Sequence, residues 1–315
     1  MDTKNAGSGR AFSVIYTDKT IHDARFMKVF TCILYLGSCL FSCAEICVDS
    51  WLDFYKKMKE VLVIQNLTVC FDALEAVSGL RMEVEPGAIT GLIGPNGAGK
   101  TTVFNAISGF VRPAEGTISF LGRDIAHLKP YKITSLGIAR TFQNIRLFSD
   151  LSVLENVMVG FHRSFDASLF LQAVLCLPGY RKKEKEINEK ALGLLERTGL
   201  LNFADEKASS LPYGLQRRLE IARAIATHPK LLLLDEPAAG MNPSEKEALM
   251  KFIKKIRDKL GTTILLIEHD MHVVMEICDK ITVLEYGEKI AEGTPGDIRN
   301  NPRVIEAYLG ESTTN

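Results

Sequence analysis

Gly94-Pro95-Asn96-Gly97-Ala98-Gly99-Lys100-Thr101-Thr102 follows an apolar run, Ala88 to Ile93, and leads into a helix-compatible run from Lys100 to Ser108 that Gly109 closes. The stretch fits G-x-x-x-x-G-K-[ST] in the strand–loop–helix context that gives the pattern its meaning. Its glycines let successive backbone N–H groups curl inward as an anion nest, and the helix N-terminus adds partial positive charge at the same point. The expected occupant is a chain of phosphates, with Lys100 reaching the β- and γ-phosphates and the Thr101 hydroxyl on Mg²⁺. A chance glycine turn is the competing reading, and the flanking strand and helix count against it. No G-x-G-x-x-G occurs in the loop, which excludes a dinucleotide fingerprint.

A phosphate cradle does not say what happens to the phosphate. Further along, Leu231 to Leu234 run into Asp235-Glu236-Pro237, which reads as a buried parallel strand delivering two carboxylates at its C-terminal end. Asp235 is placed to hold magnesium through water, and Glu236 to take a proton from an attacking water. Another strand, Thr263 to Ile267, ends in Glu268-His269-Asp270. His269 with His272 makes a poor metal pair, since no E-x-x separates them and no third ligand is evident. Position gives His269 its meaning: strand ends bearing Lys100, Asp235 with Glu236, and His269 meet at one edge of a parallel sheet, where open α/β folds bind ligands.

The chain has 315 residues, a length that suits about two lobes at roughly 150 residues each. With 46% hydrophobic and 24% charged residues, neither a disordered chain nor a polytopic membrane protein fits. The 38 basic and 38 acidic side chains cancel, which removes the long-range field that nucleic acid binding exploits, so no nucleic acid partner is expected. Seven cysteines, an odd number without small-scaffold density, point away from a secreted disulfide framework and toward a reducing compartment.

Residues 1–57 differ from the rest. Val29 to Ala44 is uncharged and mostly apolar between Arg25, Lys28 and Glu45, the layout of a signal peptide or short anchor, yet it is below the roughly 20 residues a spanning helix needs. Cys32, Cys39, Cys43 and Cys47 crowd this segment. The last three would share a helix face, as an apolar stripe rather than a metal site, since no His lies in the run. The tripeptides before Cys39 and Cys43 loosely resemble a lipoprotein processing box, but export would strand nucleotide chemistry where ATP is scarce. The expectation is an extension that is disordered or not native, with Met58 as the natural start.

Several independent motifs together resemble the ATP-binding subunits of ABC transporters, from about residue 60 to 311. Gln143, in Arg140-Thr-Phe-Gln143-Asn-Ile-Arg146, matches the family's Q-loop glutamine, which implies contact with both magnesium and the reacting phosphate. His269 matches its switch histidine. Phe71 matches the aromatic residue on which adenine stacks. The signature segment, Leu211-Pro212-Tyr213-Gly214-Leu215-Gln216-Arg217-Arg218-Leu219-Glu220, departs from L-S-G-G-Q. Pro212 has neither hydroxyl nor N–H to offer a phosphate. Tyr213 and Gly214 remain, with the N-terminus of a helix whose apolar Leu215, Leu219 and Ala222 share one face while Arg217, Arg218 and Glu220 point elsewhere. Asn242 stands where the family usually has Asp. These variants, with Ile267-Glu-His-Asp-Met271 and Asn300-Asn-Pro-Arg-Val-Ile-Glu-Ala-Tyr-Leu-Gly310, resemble the subgroup that powers bacterial branched-chain amino-acid import.

The resemblance implies a RecA-like P-loop α/β core, residues 58–143 and 226–311, with a helical subdomain inserted at 144–225. Helical patterns at Leu151–Gly160, Phe170–Leu177 and Arg181–Leu195 fit that insert, whose interleaved charges suit a solvated face. A Tyr286-Gly287 hairpin and short helices begun at Thr294-Pro295 and Asn301-Pro302 complete the chain. By the same resemblance two subunits, alike or different, sandwich two ATP molecules, each P-loop facing the other's signature. Permease subunits in the membrane and, indirectly, a periplasmic solute-binding protein are the further partners, with the chain peripheral on the cytoplasmic face of the inner membrane. Two alternatives stand beside this reading: a soluble ABC ATPase acting on a non-transport partner, and a P-loop small-molecule kinase, which would need neither Gln143, nor a Gly214 signature, nor His269.

Overall fold

The computed structural model describes residues 60–161 and 178–309. The extension at 1–57 with its clustered cysteines, and the run Phe170–Leu177, lie outside those residues. In chain order, β1 (Leu62–Phe71) and β2 (Leu74–Val84) form a hairpin, and β3 (Ile89–Ile93) leads through the glycine loop into α1 (Lys100–Ile107). A short hairpin of β4 (Glu115–Phe120) and β5 (Arg123–Asp124) precedes α2 (Pro130–Leu136) and β6 (Ile138–Arg140). Then come α3 (Val153–Phe161), α4 (Pro178–Thr198) and α5 (Tyr213–Ala226). The last stretch runs β7 (Leu231–Asp235), α6 (Pro243–Leu260), β8 (Thr263–Ile267), α7 (Met271–Ile277), β9 (Lys280–Glu285), β10 (Glu288–Gly293), α8 (Pro295–Arg299) and α9 (Pro302–Leu309).

The larger sheet has the order β10-β9-β3-β8-β7-β6, parallel except for β10. Every residue of β3, β7 and β8 is buried, which is why these strands read as continuous apolar runs rather than alternations. Successive side chains nevertheless part company. Leu232, Leu234, Ile264 and Leu266 enter one core with the helices, while Leu231, Leu233, Leu265 and Ile267 enter a second core with α1 and the antiparallel sheet. Each buried leucine contributes roughly 1.5–3 kcal/mol.

The smaller sheet, β2-β1-β4-β5, is antiparallel throughout. β1 opens at Leu62, and no apolar run in the sequence marks β2 or β4. Their outward residues are polar, such as Arg81 and Glu83 in β2, so the strands are half-buried and carry no long apolar run.

Helix boundaries follow their caps. The helix expected from Leu151 starts at Val153 because Ser152 and Glu155 close a reciprocal cap: Ser152 N–H donates to the Glu155 carboxylate at 2.7 Å and Glu155 N–H to Ser152 Oγ at 3.1 Å. α4 contains the expected Arg181–Leu195 run, and α3, α4 and α5 pack on one another. α6 begins at Asn242, whose side chain accepts from Glu245 N–H while Glu245 caps back, so Asn serves this cap as Asp would. The Tyr286-Gly287 hairpin and the cap at Thr294 form as expected, and α9 begins at Pro302. Among the described residues no helix is long and apolar enough to cross a membrane.

Candidate functional site

The parallel register brings the predicted groups together. Leu92 on β3 and Asp235 on β7 both lie level with Ile267 on β8. The three strands therefore deliver the glycine loop, the Asp235-Glu236 pair and His269 to one sheet edge. Glu236 N–H donates to Ile267 O at 3.0 Å, which stitches the second group to the third.

The glycine loop needs glycine twice over. Gly94 and Gly99 have φ of 151° and 94°, and a Cβ at either would sit 2.1 Å from Leu284 O or 2.5 Å from Ala76 O. Lys100 folds back over its own loop, its Nζ donating to Gly94 O and Pro95 O at 2.7 Å each. The cap of α1 is Gly99, with no side-chain bond, so the first amides of the helix, from Lys100 to Thr102, point into the cradle formed with Pro95, Asn96, Gly97 and Ala98. Phe71 stands half-exposed at the turn from β1 to β2, and the opening of β2 abuts the loop at Ala76.

At the end of β7, Asp235 is buried and paired with Arg140 of the neighbouring strand at 2.8 Å. Glu236 adopts φ 45°, left-handed for a residue with a side chain. Its Oε2 accepts from Gln143 Nε2 at 2.8 Å and lies 3.8 Å from His269 Nδ1, too far for a hydrogen bond. Gln143, Glu236 and His269 thus form one cluster, with Asp235 adjacent in the chain.

Among the described residues no group of three or more His, Cys, Asp or Glu side chains could hold a metal by itself. Thr101, Gln143 and Asp235 offer a hydroxyl, an amide oxygen and a carboxylate. That all-oxygen set suits Mg²⁺, which keeps waters and takes its remaining ligands from phosphate. The residues fit the ion.

Tyr213 and Gly214 lie elsewhere. Tyr213 Oη donates to Ala239 O at 3.2 Å, and a Cβ on Gly214 would come within 3.4 Å of Glu245 Oε1, so the signature rests on the segment after Glu236 rather than on its own chain's glycine loop. Pro212 caps α5 without a side-chain bond, and the first intrahelical bonds come from Leu215 and Gln216 N–H, which leaves the earlier amides open.

The helix after the signature corrects the expectation for its charges. Arg217 is 0% and Glu220 2% exposed. They pair at 2.8 Å, and Arg217 also donates to Phe142 O at 2.7 Å and Gln143 O at 2.6 Å, while Glu220 accepts Arg146 N–H at 3.1 Å. The Gln143 loop is irregular, so its carbonyls need partners, and this ion pair supplies them. Only Arg218 behaves as expected, half-exposed over the Phe252 ring.

Arg140 escaped the sequence reading too. It bonds Asn105 Oδ1 on α1 and Ser108 Oγ at that helix's C-cap at 2.8 Å each, besides Asp235. With Phe110, Phe142, Arg146, Phe148 and Arg223 it also lines a cavity of about 760 Å³ between the sheet edge and helices α3 and α5. The quoted stretch Arg140 to Arg146 held the signal in its two arginines, but only the fold says what they grip.

The chain is similar to known proteins in sequence and in fold. The ABC transporter family profile matches residues 77–239, and that of branched-chain amino acid ATP-binding cassette transporters matches residues 288–313. The chain is 47% identical over 254 residues to the high-affinity branched-chain amino acid transport ATP-binding protein BraF of Pseudomonas aeruginosa, covering 81% of this chain and 99% of that one. It is 48% identical over 252 residues to LivG of Escherichia coli strain K12, a protein of the same description, covering 80% and 98%. Among solved structures, an ATP-binding cassette of an ABC transporter in its ADP conformation superposes with a TM-score of 0.70 at 33% identity, over 80% of this chain and 99% of the other. A dimeric cassette in a post-hydrolysis state, bound to ADP and Pi, gives a TM-score of 0.62 at 26% identity, over 74% and 98%.

Proposed function

Because the chain belongs to the ABC transporter family of ATP-binding cassettes, we propose that it binds and hydrolyses ATP to power the import of branched-chain amino acids through permease partners in the membrane. The observation that carries this reading is the convergence of Lys100, Asp235, Glu236 and His269 at one sheet edge, with Gln143 bonded to Glu236. The solute class rests on the family match at residues 288–313 and on the two relatives described above.

In this reading the ATP-binding core comprises 58–143 and 226–311, and the helical lobe 144–225. The amides of Gly94 to Thr102 hold the phosphates, and Lys100 leaves Gly94 O and Pro95 O to grip the β- and γ-phosphates. Phe71 stacks on adenine. Thr101, Gln143 and Asp235 would hold magnesium, which would supply neutralising charge on the phosphates. Glu236 takes the proton of the attacking water, Gln143 steadies that carboxylate through its Nε2, and His269 sits within reach of the reacting phosphate. A second cassette completes the site: Tyr213, Gly214 and the open amides of α5 serve the partner's nucleotide. The chain works at the cytoplasmic face of the inner membrane. The cavity beside Arg140 and Phe142 receives a permease segment, so that the Gln143 loop and the helical lobe relay motion between nucleotide and membrane.

Glu236→Gln tests the core of this proposal. ATP binding should persist while phosphate release, assayed without an acceptor, falls by about 10² to 10⁴. Normal turnover in E236Q rejects Glu236 as the base, and phosphate release that requires an acceptor turns the reading toward a kinase. Co-purification of the native chain with an integral membrane protein tests the transport role.

A further inference from the structure

His269 stands between two acids, and both are bonded to the segment that follows Glu236. Glu268 is fully buried, and its Oε1 accepts Ala238 N–H at 2.7 Å. Asp270, which caps α7 through the amides of His272 and Val273, accepts from Lys246 Nζ on α6 at 2.5 Å. Just ahead of them, the backbone bond from Glu236 N–H reaches Ile267 O. Three ties, from Glu236, Ala238 and Lys246, thus converge on the turn that carries His269.

Glu236 needs such ties. A left-handed backbone at a residue with a side chain is strained and persists only where the surroundings over-determine it. Of the bonds around Glu236, the one from Ala238 to Glu268 is the most deeply buried. A buried acceptor is retained only with a firm partner, and the second Glu268 oxygen, Oε2, has none. Burial without a full set of partners is an unfavourable setting for a carboxyl that served packing alone, since an apolar side chain of the same size would fill the space without that penalty.

We infer that Glu268 is a positioning residue for hydrolysis: by holding Ala238 N–H it fixes the turn that carries Glu236 at its distance from His269. The inference rests on the reading of Glu236 as the base. Asp270 and Lys246 provide an outer, partly exposed brace to the same joint. Glu268 touches neither the nucleotide loop nor Gln143 through its bond to Ala238, so its effect falls on turnover rather than on ATP affinity.

The experiment measures kcat and KM for ATP hydrolysis by the full chain. Glu268→Met keeps the length and removes the acceptor, whereas Glu268→Gln keeps an acceptor. Burial pushes the Glu268 carboxyl above its ordinary range, which makes the neutral amide a close stand-in. E268M should lose about 10²-fold in kcat, the cost of a displacement of about 1 Å at a reacting group, with KM changed by less than about threefold. E268Q should stay within about threefold of the parent in both. Exchange of the Ala238 amide should speed up in E268M and not in E268Q. If E268M does not fold, Glu268→Asp, one methylene shorter, withdraws the oxygen without emptying the pocket and should give the same split. Undiminished kcat in E268M or E268D beside an inactive E236Q overturns the inference, as does E268Q being as slow as E268M. So does a loss of kcat and ATP binding in step with the folded fraction. Turnover by E236Q overturns the base assignment itself.

Discussion

Lys100 bonds to carbonyls six and five residues before it, whereas the Gln143 loop hangs from Arg217, whose two bonds reach back 75 and 74 residues. Both loops serve the same nucleotide in the proposed mechanism. The first is shaped by its own glycines and by the helix it opens, and needs little from the rest of the chain. The second has no regular structure, so it borrows a donor and an acceptor from α5, far along the chain. The difference teaches that binding can be a local property while control is a distributed one: whatever moves α5 moves Gln143, and hence the partner of Glu236.

The largest expected effect tests the distributed half. Arg217→Met strands Glu220 in the interior and should destabilise the fold by about 3–5 kcal/mol, with the double replacement R217M/E220L recovering most of it. Urea melts read both, and a neutral R217M would remove the distinction between the loops. Next, Lys100→Ala should leave the melt nearly unchanged but weaken ATP binding by about 1.5–3 kcal/mol, or one to two orders of magnitude, in equilibrium titrations. Destabilisation as large as that of R217M would mean that the glycine loop, too, is held from afar. Asn242→Ala sharpens the local side: loss of the cap on α6 should cost about 1 kcal/mol by thermal melting, and Asn242→Asp should cost nearly nothing, since either side chain accepts from Glu245 N–H.

The smallest effect lies far from both loops. Burial, with help from Glu83, raises the Glu60 carboxyl from 4.5 to about 7, while Lys280 opposes the shift and Glu85 adds to it. The folded state therefore binds this proton more tightly than the unfolded chain. Its stability contribution is complete below 4.5 and declines as pH rises toward 7. Melts across that range should show the decline in the parent and a flatter profile in Glu60→Gln.

Legibility followed the same division. The glycine loop, the leucine strand with its two acids and the Thr263–Ile267 strand were readable because the chemistry of each is contiguous. Even their meeting at one edge followed from the rule for parallel sheets. Arg217 and Glu220 were assigned to the wrong environment because helical periodicity sorts residues by polarity, and a buried ion pair serving an irregular loop inverts that rule. The role of Arg140 is invisible in the sequence, since its partner is 95 residues away. The antiparallel sheet was largely missed because half-buried strands alternate, and their alternation is interrupted by register shifts between β1 and its neighbours. Asn242 looked like a lost charge from the sequence, and the cap it makes shows why that charge is dispensable to the helix.

The backbone at Glu236 has a consequence for laboratory evolution. Glycine would relax a left-handed φ of 45° at no steric cost, so a screen that rewards heat resistance alone should collect Glu236→Gly among its winners. Such clones would be sturdier and inert. A library sorted first for endurance and then for turnover would separate the two demands at this one position.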